Sequence, residues 1–144
     1  YHSLSQSCDY TLVEGIGGIM VPLTQTLTVR DLIKTLIIPT IVIGRTTIGG
    51  INHLQLTVKA LRSWQIPIVA IILNDGTWNQ DSEETLQQRN STIDLIQELS
   101  GLPVFGPIVY QAELAAQWNA GVTKLRQQVP IQQLADFLIT EMRQ

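Results

Sequence analysis

Thr40-Ile41-Val42-Ile43-Gly44-Arg45-Thr46-Thr47-Ile48-Gly49-Gly50-Ile51-Asn52-His53 decides the fold class. The stretch opens after Pro39 as a wholly apolar, β-branched run, turns through glycine and hydroxyl residues, and enters a segment in which Ile51, Leu54, Val58 and Leu61 recur at spacings of three, four and three. An apolar run without alternation predicts a strand covered on both faces and therefore central in its sheet. The three-four spacing predicts a helix that lays one face on that sheet. Strand, polar turn and amphipathic helix together form half of a βαβ unit, the building block of a parallel sheet.

The same alternation extends in both directions. Downstream, Ile66 to Leu73 predicts a strand ending at Asn74-Asp75-Gly76, a turn sequence. Ser82 caps an expected helix that runs to Leu99 and is stopped by Gly101, and Pro103-Val104-Phe105 predicts a short further strand. Two helices come after it, one carrying Ala115, Trp118, Val122, Leu125 and Val129, the other with Pro130 in its first turn and Leu134, Leu138 and Met142 turned inward. Upstream, Thr28 to Leu36 predicts a helix with Thr28 as N-cap and Asp31 in the first turn. Tyr10-Thr11-Leu12-Val13 predicts a first strand that delivers Glu14 into the loop Gly15-Ile16-Gly17-Gly18. Residues 1–144 thus read as a single α/β domain, and the glutamines scattered from Gln87 onward read as solvated helix surface.

Composition narrows the function. The chain is 44% hydrophobic and 15% charged, with a mean hydropathy of +0.16, which excludes intrinsic disorder. Nine Lys plus Arg against twelve Asp plus Glu give a net charge of -3, so no basic footprint for nucleic acid or anionic lipid is expected. The longest apolar stretches, Leu36 to Ile43 and Ile66 to Leu73, contain or adjoin proline and fall far short of the roughly 20 residues that cross a bilayer, so no membrane span is expected. Tyr1-His2-Ser3-Leu4 has no initiator Met, basic region or apolar core of a secretory signal. The lone Cys8 makes no disulfide framework and has no partner for zinc, which fits a reducing, cytoplasmic setting.

Ligands of open parallel sheets bind beyond the carboxyl ends of the strands, and three such ends carry polar or glycine-rich sequence: Glu14 to Gly18, Gly44 to Asn52, and Asn74-Asp75. A carboxylate at a strand end is costly unless compensated, which makes Glu14 the candidate ligand of a hard cation such as Mg²⁺; a helix cap or a pair with Arg45 is the competing reading. The glycines of Thr46-Thr47-Ile48-Gly49-Gly50-Ile51-Asn52 leave N–H groups at a helix start uncovered, as an anion requires, unless Thr46 or Thr47 caps the helix and the glycines serve packing. Asn52 has the donors and acceptor to fix a carboxylate, and His53 reads as an ordinary helix residue. The amide of Asn74 suits the edge of an adenine, or simply belongs to a turn. Trp64, Trp78 and Trp118 accompany no basic stripe and read as core or interface. No G-x-x-x-x-G-K-[ST] phosphate loop and no Gly-Lys pair occurs in the chain.

Val13-Glu14-Gly15-Ile16-Gly17-Gly18, Pro22-Leu23, Ile48-Gly49-Gly50-Ile51-Asn52-His53 and a strand ending in Asn74-Asp75, in that order and spacing, resemble the second half of the dethiobiotin synthetases. The likeness runs from about Asp9 to Gly106, and the Gly-Gly-Ile-Asn-His segment is its most specific part. It implies a three-layer, parallel-sheet, P-loop NTPase-like (Rossmann-like) α/β fold, here incomplete at its N-terminus. It also implies a homodimeric, ATP- and Mg²⁺-dependent enzyme that closes the ureido ring on diaminopelargonic acid with CO2, in biotin biosynthesis. Carried across, Glu14 would hold Mg²⁺, and Gly17 and Gly18 would lie along the diamine. Gly49, Gly50, Ile51 and Asn52 would bind the substrate's carboxylate tail across the dimer interface, and Asn74, Gly106, Pro107 and Ile108 would receive the adenine.

The chain departs from that pattern in three places. Ile16 stands where the family usually has alanine, which narrows the space beside the amine. Gly106-Pro107-Ile108-Val109 lacks the last proline of the family's Gly-x-Ile-Pro loop, which weakens the assignment of the base site. The family's phosphate loop and substrate lysines belong to an N-terminal half that these residues do not include, so the 144-residue chain alone is expected not to turn over ATP. Two other readings remain: a non-catalytic dimerising or ligand-binding remnant of that fold, and another P-loop ATPase of the amidoligase or partitioning type.

Overall fold

The computed structural model describes residues 2–75 and 83–141, which divide into two compact units, Tyr1–Ile37 and Ile38–Gln144. Gly76, Trp78, Ser82 and Met142, assigned from sequence to a turn, a core or interface, a helix cap and an inward face, lie outside the described residues.

The first unit starts with α1 (His2–Ser5) and ends with α2 (Val29–Leu36). As its sequence predicts, α2 is capped by Thr28. The hydroxyl of Thr28 accepts from the N–H of Asp31 at 3.4 Å, and the Asp31 carboxylate accepts from the Thr28 N–H at 2.7 Å and from its hydroxyl at 2.6 Å, a reciprocal capping box. The N–H groups of Val29 and Arg30 donate to the carbonyls of Val21 and Ile19, and that of Leu32 to Thr28, so every donor of the first turn is occupied. The hydrogen bonds from the Thr28 side chain and backbone hold the Asp31 carboxyl below the usual carboxylate range. A lowered carboxyl pKa stabilises the folded state above the unfolded pKa and loses that contribution as pH falls through the folded one. Asp31→Ala is therefore expected to lower the melting temperature at neutral pH, by a difference that shrinks as pH falls below the unfolded carboxyl pKa of about 3.9 and through the lower folded one; thermal scans of the two proteins against pH check this.

Residues 10–13 correct the expectation of a first strand. They belong to no strand, and Tyr10, Leu12 and Val13 are 59%, 91% and 45% exposed. Strand propensity expresses a fit to a pleated, half-buried surface, and no neighbouring ladder among the described residues accepts this segment. Glu14 accordingly sits in an exposed loop rather than at a strand end.

The second unit is α/β: β1 (Thr40–Arg45), α3 (Gly50–Ser63), β2 (Ile68–Asp75), α4 (Glu83–Ser100), β3 (Val104–Val109), α5 (Glu113–Ala116), α6 (Trp118–Arg126) and α7 (Val129–Glu141). The three strands form one parallel sheet in the order β1-β2-β3, flanked by helices. Both crossovers step the same way across the sheet, which for right-handed connections sets α3 and α4 on one face, where they also touch each other. Leu54, Val58 and Leu61 of α3, the residues singled out by their spacing, are buried with Val42, Ile71, Leu73 and Ile96. On the other side Phe137 of α7 packs on Phe105 of β3, with ring centroids 5.3 Å apart.

Among the described residues β2, not β1, is the strand with two neighbours, and Ile43 of β1 is 68% exposed. An apolar run states what a strand tolerates on its faces; the number of neighbours is set by the rest of the sheet, and among the described residues β2 has two and β1 one. The ladders extend β2 to include Asn74 and Asp75 and extend β3 through Gly106 to Val109, beyond the short strand expected. The helix expected over Ala115 to Val129 breaks at Gln117, whose φ of -146° is not helical, giving α5 and α6. Trp118, beside that break, is 68% exposed rather than core, and Trp64 is half-buried.

α3 ends in a Schellman motif: Ile66 N–H donates to Leu61 O at 3.1 Å, Gln65 N–H to Arg62 O at 2.9 Å, and Ile66 and Leu61 are both buried. The left-handed residue is Gln65, with φ 57°. Glycine adopts that conformation without the penalty of about 1–2 kcal/mol that a Cβ imposes, and gives back part of it in unfolded-state entropy. Gln65→Gly should therefore stabilise the chain by about 0.5–1 kcal/mol, read as an increased denaturation midpoint.

Candidate functional site

The parallel sheet brings the carboxyl ends of β1, β2 and β3 to one edge. Arg45 of β1 is in register with Asn74 of β2, and Asn74 in turn with Ile108 of β3, while Asp75 pairs with Val109. Four of the residues marked from sequence, Asn74 and Gly106 to Ile108, are therefore neighbours across one ladder. Asn74 is exposed and Asp75 is buried, as alternation along β2 requires.

The register shifts by one residue between Ile72 and Asn74, and the bulge falls on Gly106-Pro107 of β3. Pro107 supplies no N–H, which an edge strand tolerates at a bulge. Gly106 has φ 138°, and a Cβ there would stand 2.6 Å from the Leu73 carbonyl oxygen. Only glycine lets β3 approach β2 so closely at this point.

The glycine-rich start of α3 meets the same edge. A Cβ on Gly50 would collide with the carbonyl oxygen of Arg45, so the helix is seated backbone to backbone on the end of β1. Neither Thr46 nor Thr47 caps the helix: the N-cap is Gly49, with φ 84°, and no side chain bonds to the first turn. The Gly50 N–H donates to Thr47 O and that of His53 to Gly49 O, while those of Ile51 and Asn52 take no partner among the described residues. The contrast with α2, whose first-turn donors are all engaged, is what makes this helix start suited to an anion. Asn52 and His53 are both exposed.

Glu14, Gly17 and Gly18 lie in the first unit, in a loop where all three are exposed. Gly17 has φ 67°, and Gly18 has nothing within 4 Å of where a Cβ would be. Among the described residues no three His, Cys, Asp or Glu side chains group into a metal-binding set. A cation that keeps several waters and takes its remaining ligands from phosphates needs only one or two carboxylates, and the single carboxylate of Glu14 fits that donor set.

Beyond the residues marked from sequence, the structure adds Gln128. Its carboxamide accepts from the Val109 N–H and donates to the Val109 carbonyl, both at 2.9 Å. The chain leaving β3 is further tied to α6: Lys124 bonds to Glu113, which holds that carboxyl below the usual range, and Gly121 packs directly on the backbone of Leu114. The only sequence signal for Gln128 is its place just before Val129-Pro130, where a helix start requires a cap.

Residues 1–118 match a family described as "AAA domain". The ATP-dependent dethiobiotin synthetase BioD of Thermodesulfovibrio yellowstonii is 37% identical over 123 residues, covering 79% of this chain and 49% of the relative. That of Bacillus subtilis strain 168 is 39% identical over 95 residues, 66% of this chain and 39% of the relative. That of Bacillus cereus strain B4264 is 29% identical over 141 residues, 98% of this chain and 56% of the relative. The chain spans about half the length of the relatives it matches. No helix among the described residues is long and apolar enough to cross a membrane. With an α/β parallel sheet and a match that covers most of its length, the chain belongs to the AAA domain family and is dethiobiotin synthetase-like within it.

Proposed function

We propose that this chain forms the base-binding and substrate-tail-binding portion of a dethiobiotin synthetase, an enzyme that uses ATP, Mg²⁺ and CO2 to close a ureido ring on diaminopelargonic acid. One observation carries the reading: the register that sets Asn74 beside Ile108 at the sheet's carboxyl edge. The Asn74 carboxamide offers both a donor and an acceptor to the edge of adenine, and the main chain of Gly106, Pro107 and Ile108 lies alongside. At α3, the N–H groups of Ile51 and Asn52, with Gly49 clearing the approach and Gly50 seating the helix on β1, would hold the substrate's carboxylate, supplied with its diamine end by a second copy in a homodimer. Gly17 and Gly18 would border that diamine.

In the reaction one substrate amine adds to CO2 to give a carbamate, a carbamate oxygen takes the γ-phosphoryl group of ATP with release of ADP, and the neighbouring amine displaces phosphate to close the ring. Mg²⁺, held by Glu14, would neutralise phosphate charge. The residues of this chain bind and orient; the transfer itself needs a phosphate loop and its lysine, which the 144 residues do not contain. Soluble, cytoplasmic operation belongs to the same proposal.

Titration of the chain with ATP tests it. Binding without hydrolysis is expected, with Asn74→Ala weakening ATP about tenfold, the loss of one or two hydrogen bonds, and abolishing preference for ATP over GTP. ATP affinity unchanged by Asn74→Ala sinks the assignment.

A further inference from the structure

In β3 the ladder to β2 is interrupted at the Gly106-Pro107 bulge, so the end of the strand is not held by an unbroken row of hydrogen bonds. Past the bulge, Ile108 and Val109 pair with Asn74 and Asp75 on one side and, among the described residues, meet no strand on the other. There the Gln128 carboxamide takes both main-chain groups of Val109. A primary amide carries a donor and an acceptor side by side, as a residue of a neighbouring strand does, so one side chain stands in for one residue of a fourth strand. Gln128 is itself anchored: its N–H donates to Leu125 O at 3.1 Å, and its carbonyl accepts from Ile131 and Gln132 at 3.0 and 3.2 Å, at the corner where α6 passes into α7.

We infer that Gln128 is a positioning residue for the nucleotide base, clasping Val109 so that the main chain of Gly106 to Ile108 presents a fixed edge beside Asn74. The inference rests on the reading of that edge as the base site. Its physical content is preorganisation: a bulged strand end held on one side only would have to be ordered by the ligand, and that ordering would be subtracted from affinity.

The test uses the whole chain and ATP as probe, with Gln128→Leu and Gln128→Glu. Leucine removes both bonds, and ATP should bind about tenfold more weakly. Glutamate keeps an acceptor for the Val109 N–H but sets a second oxygen against the Val109 carbonyl; once protonated, its carboxyl again offers one donor and one acceptor. The variant-to-wild-type ratio of dissociation constants should therefore be about ten at pH 8 and fall at pH 4, below the ordinary glutamate pKa of about 4.3, for Gln128→Glu, and stay high at both for Gln128→Leu. Asp75, Glu113, Lys124, Arg126 and Asp136, on the elements meeting at this corner, are common to all three proteins and cancel in the ratio. Amide exchange at Val109 should accelerate in Gln128→Leu. If exchange accelerates while ATP affinity holds, Gln128 is structural only and the inference falls. Wild-type chain that binds no ATP overturns the base site itself and the inference with it, so the two failures are told apart. If Gln128→Leu does not fold, the pH profile of Gln128→Glu decides: a ratio flat with pH overturns the inference.

Discussion

Gly106→Ala should destabilise the chain by about 3–5 kcal/mol and lower its melting temperature by roughly 10–17 °C. Two costs combine. At φ 138° an L-residue is strained by about 1–3 kcal/mol, and the new methyl would stand 2.6 Å from the Leu73 carbonyl oxygen and 2.9 Å from the Leu73 Cβ. The oxygen is main chain of the central strand, so relief requires β2 and β3 to separate rather than a side chain to turn, which puts the overpacking cost near the top of its range of about 1–3 kcal/mol. Against the total stability of an ordinary domain, about 5–15 kcal/mol, this is a large share. Circular dichroism during heating measures it, and an unchanged midpoint would show that the two strands are not so closely apposed in solution. Because Gly106 belongs to the proposed base edge, ATP affinity should fall in the same variant by more than the fraction unfolded explains.

Gly50→Ala is the second large effect, at about 2–3 kcal/mol. Alanine is the better helix former, so helix propensity alone predicts stabilisation even at this first helical position. The collision of its Cβ with the Arg45 carbonyl oxygen reverses the sign, since that atom is fixed by the end of β1. The neighbouring Gly49→Ala provides the contrast: a Cβ there meets nothing within 4 Å, and only the strain of φ 84° remains, about 1–2 kcal/mol. Chemical denaturation of both variants distinguishes steric seating from backbone strain; Gly50→Ala at or above wild-type stability would refute the seating of α3 on β1.

These effects arise from features that the sequence shows only in part. The capping box at Thr28 and Asp31 and the buried stripe of Leu54, Val58 and Leu61 are local, set by residues within a turn or two of each other, and both read directly from spacing. Asn74 and Gly106 to Ile108 stand out partly by chemistry and partly by resemblance; that they share a ladder depends on pairing between segments a helix apart. Tyr10 to Val13 has strand composition and no strand, and Thr40 to Arg45 reads as central yet pairs with one neighbour among the described residues, because neighbours are a property of the whole sheet. Gln128 reads in the sequence as one more solvated glutamine. Nothing near it announces the strand end at Val109, nineteen residues earlier, that its side chain clasps.

The parallel pairing also bears on how the chain reaches its native state. Thr40 meets Ile68, and Ile71 meets Val104, so both pairings within the parallel sheet enclose a complete helix. Closure entropy must be overcome before any ladder bond compensates it, which places this parallel pairing among the slower-forming topologies.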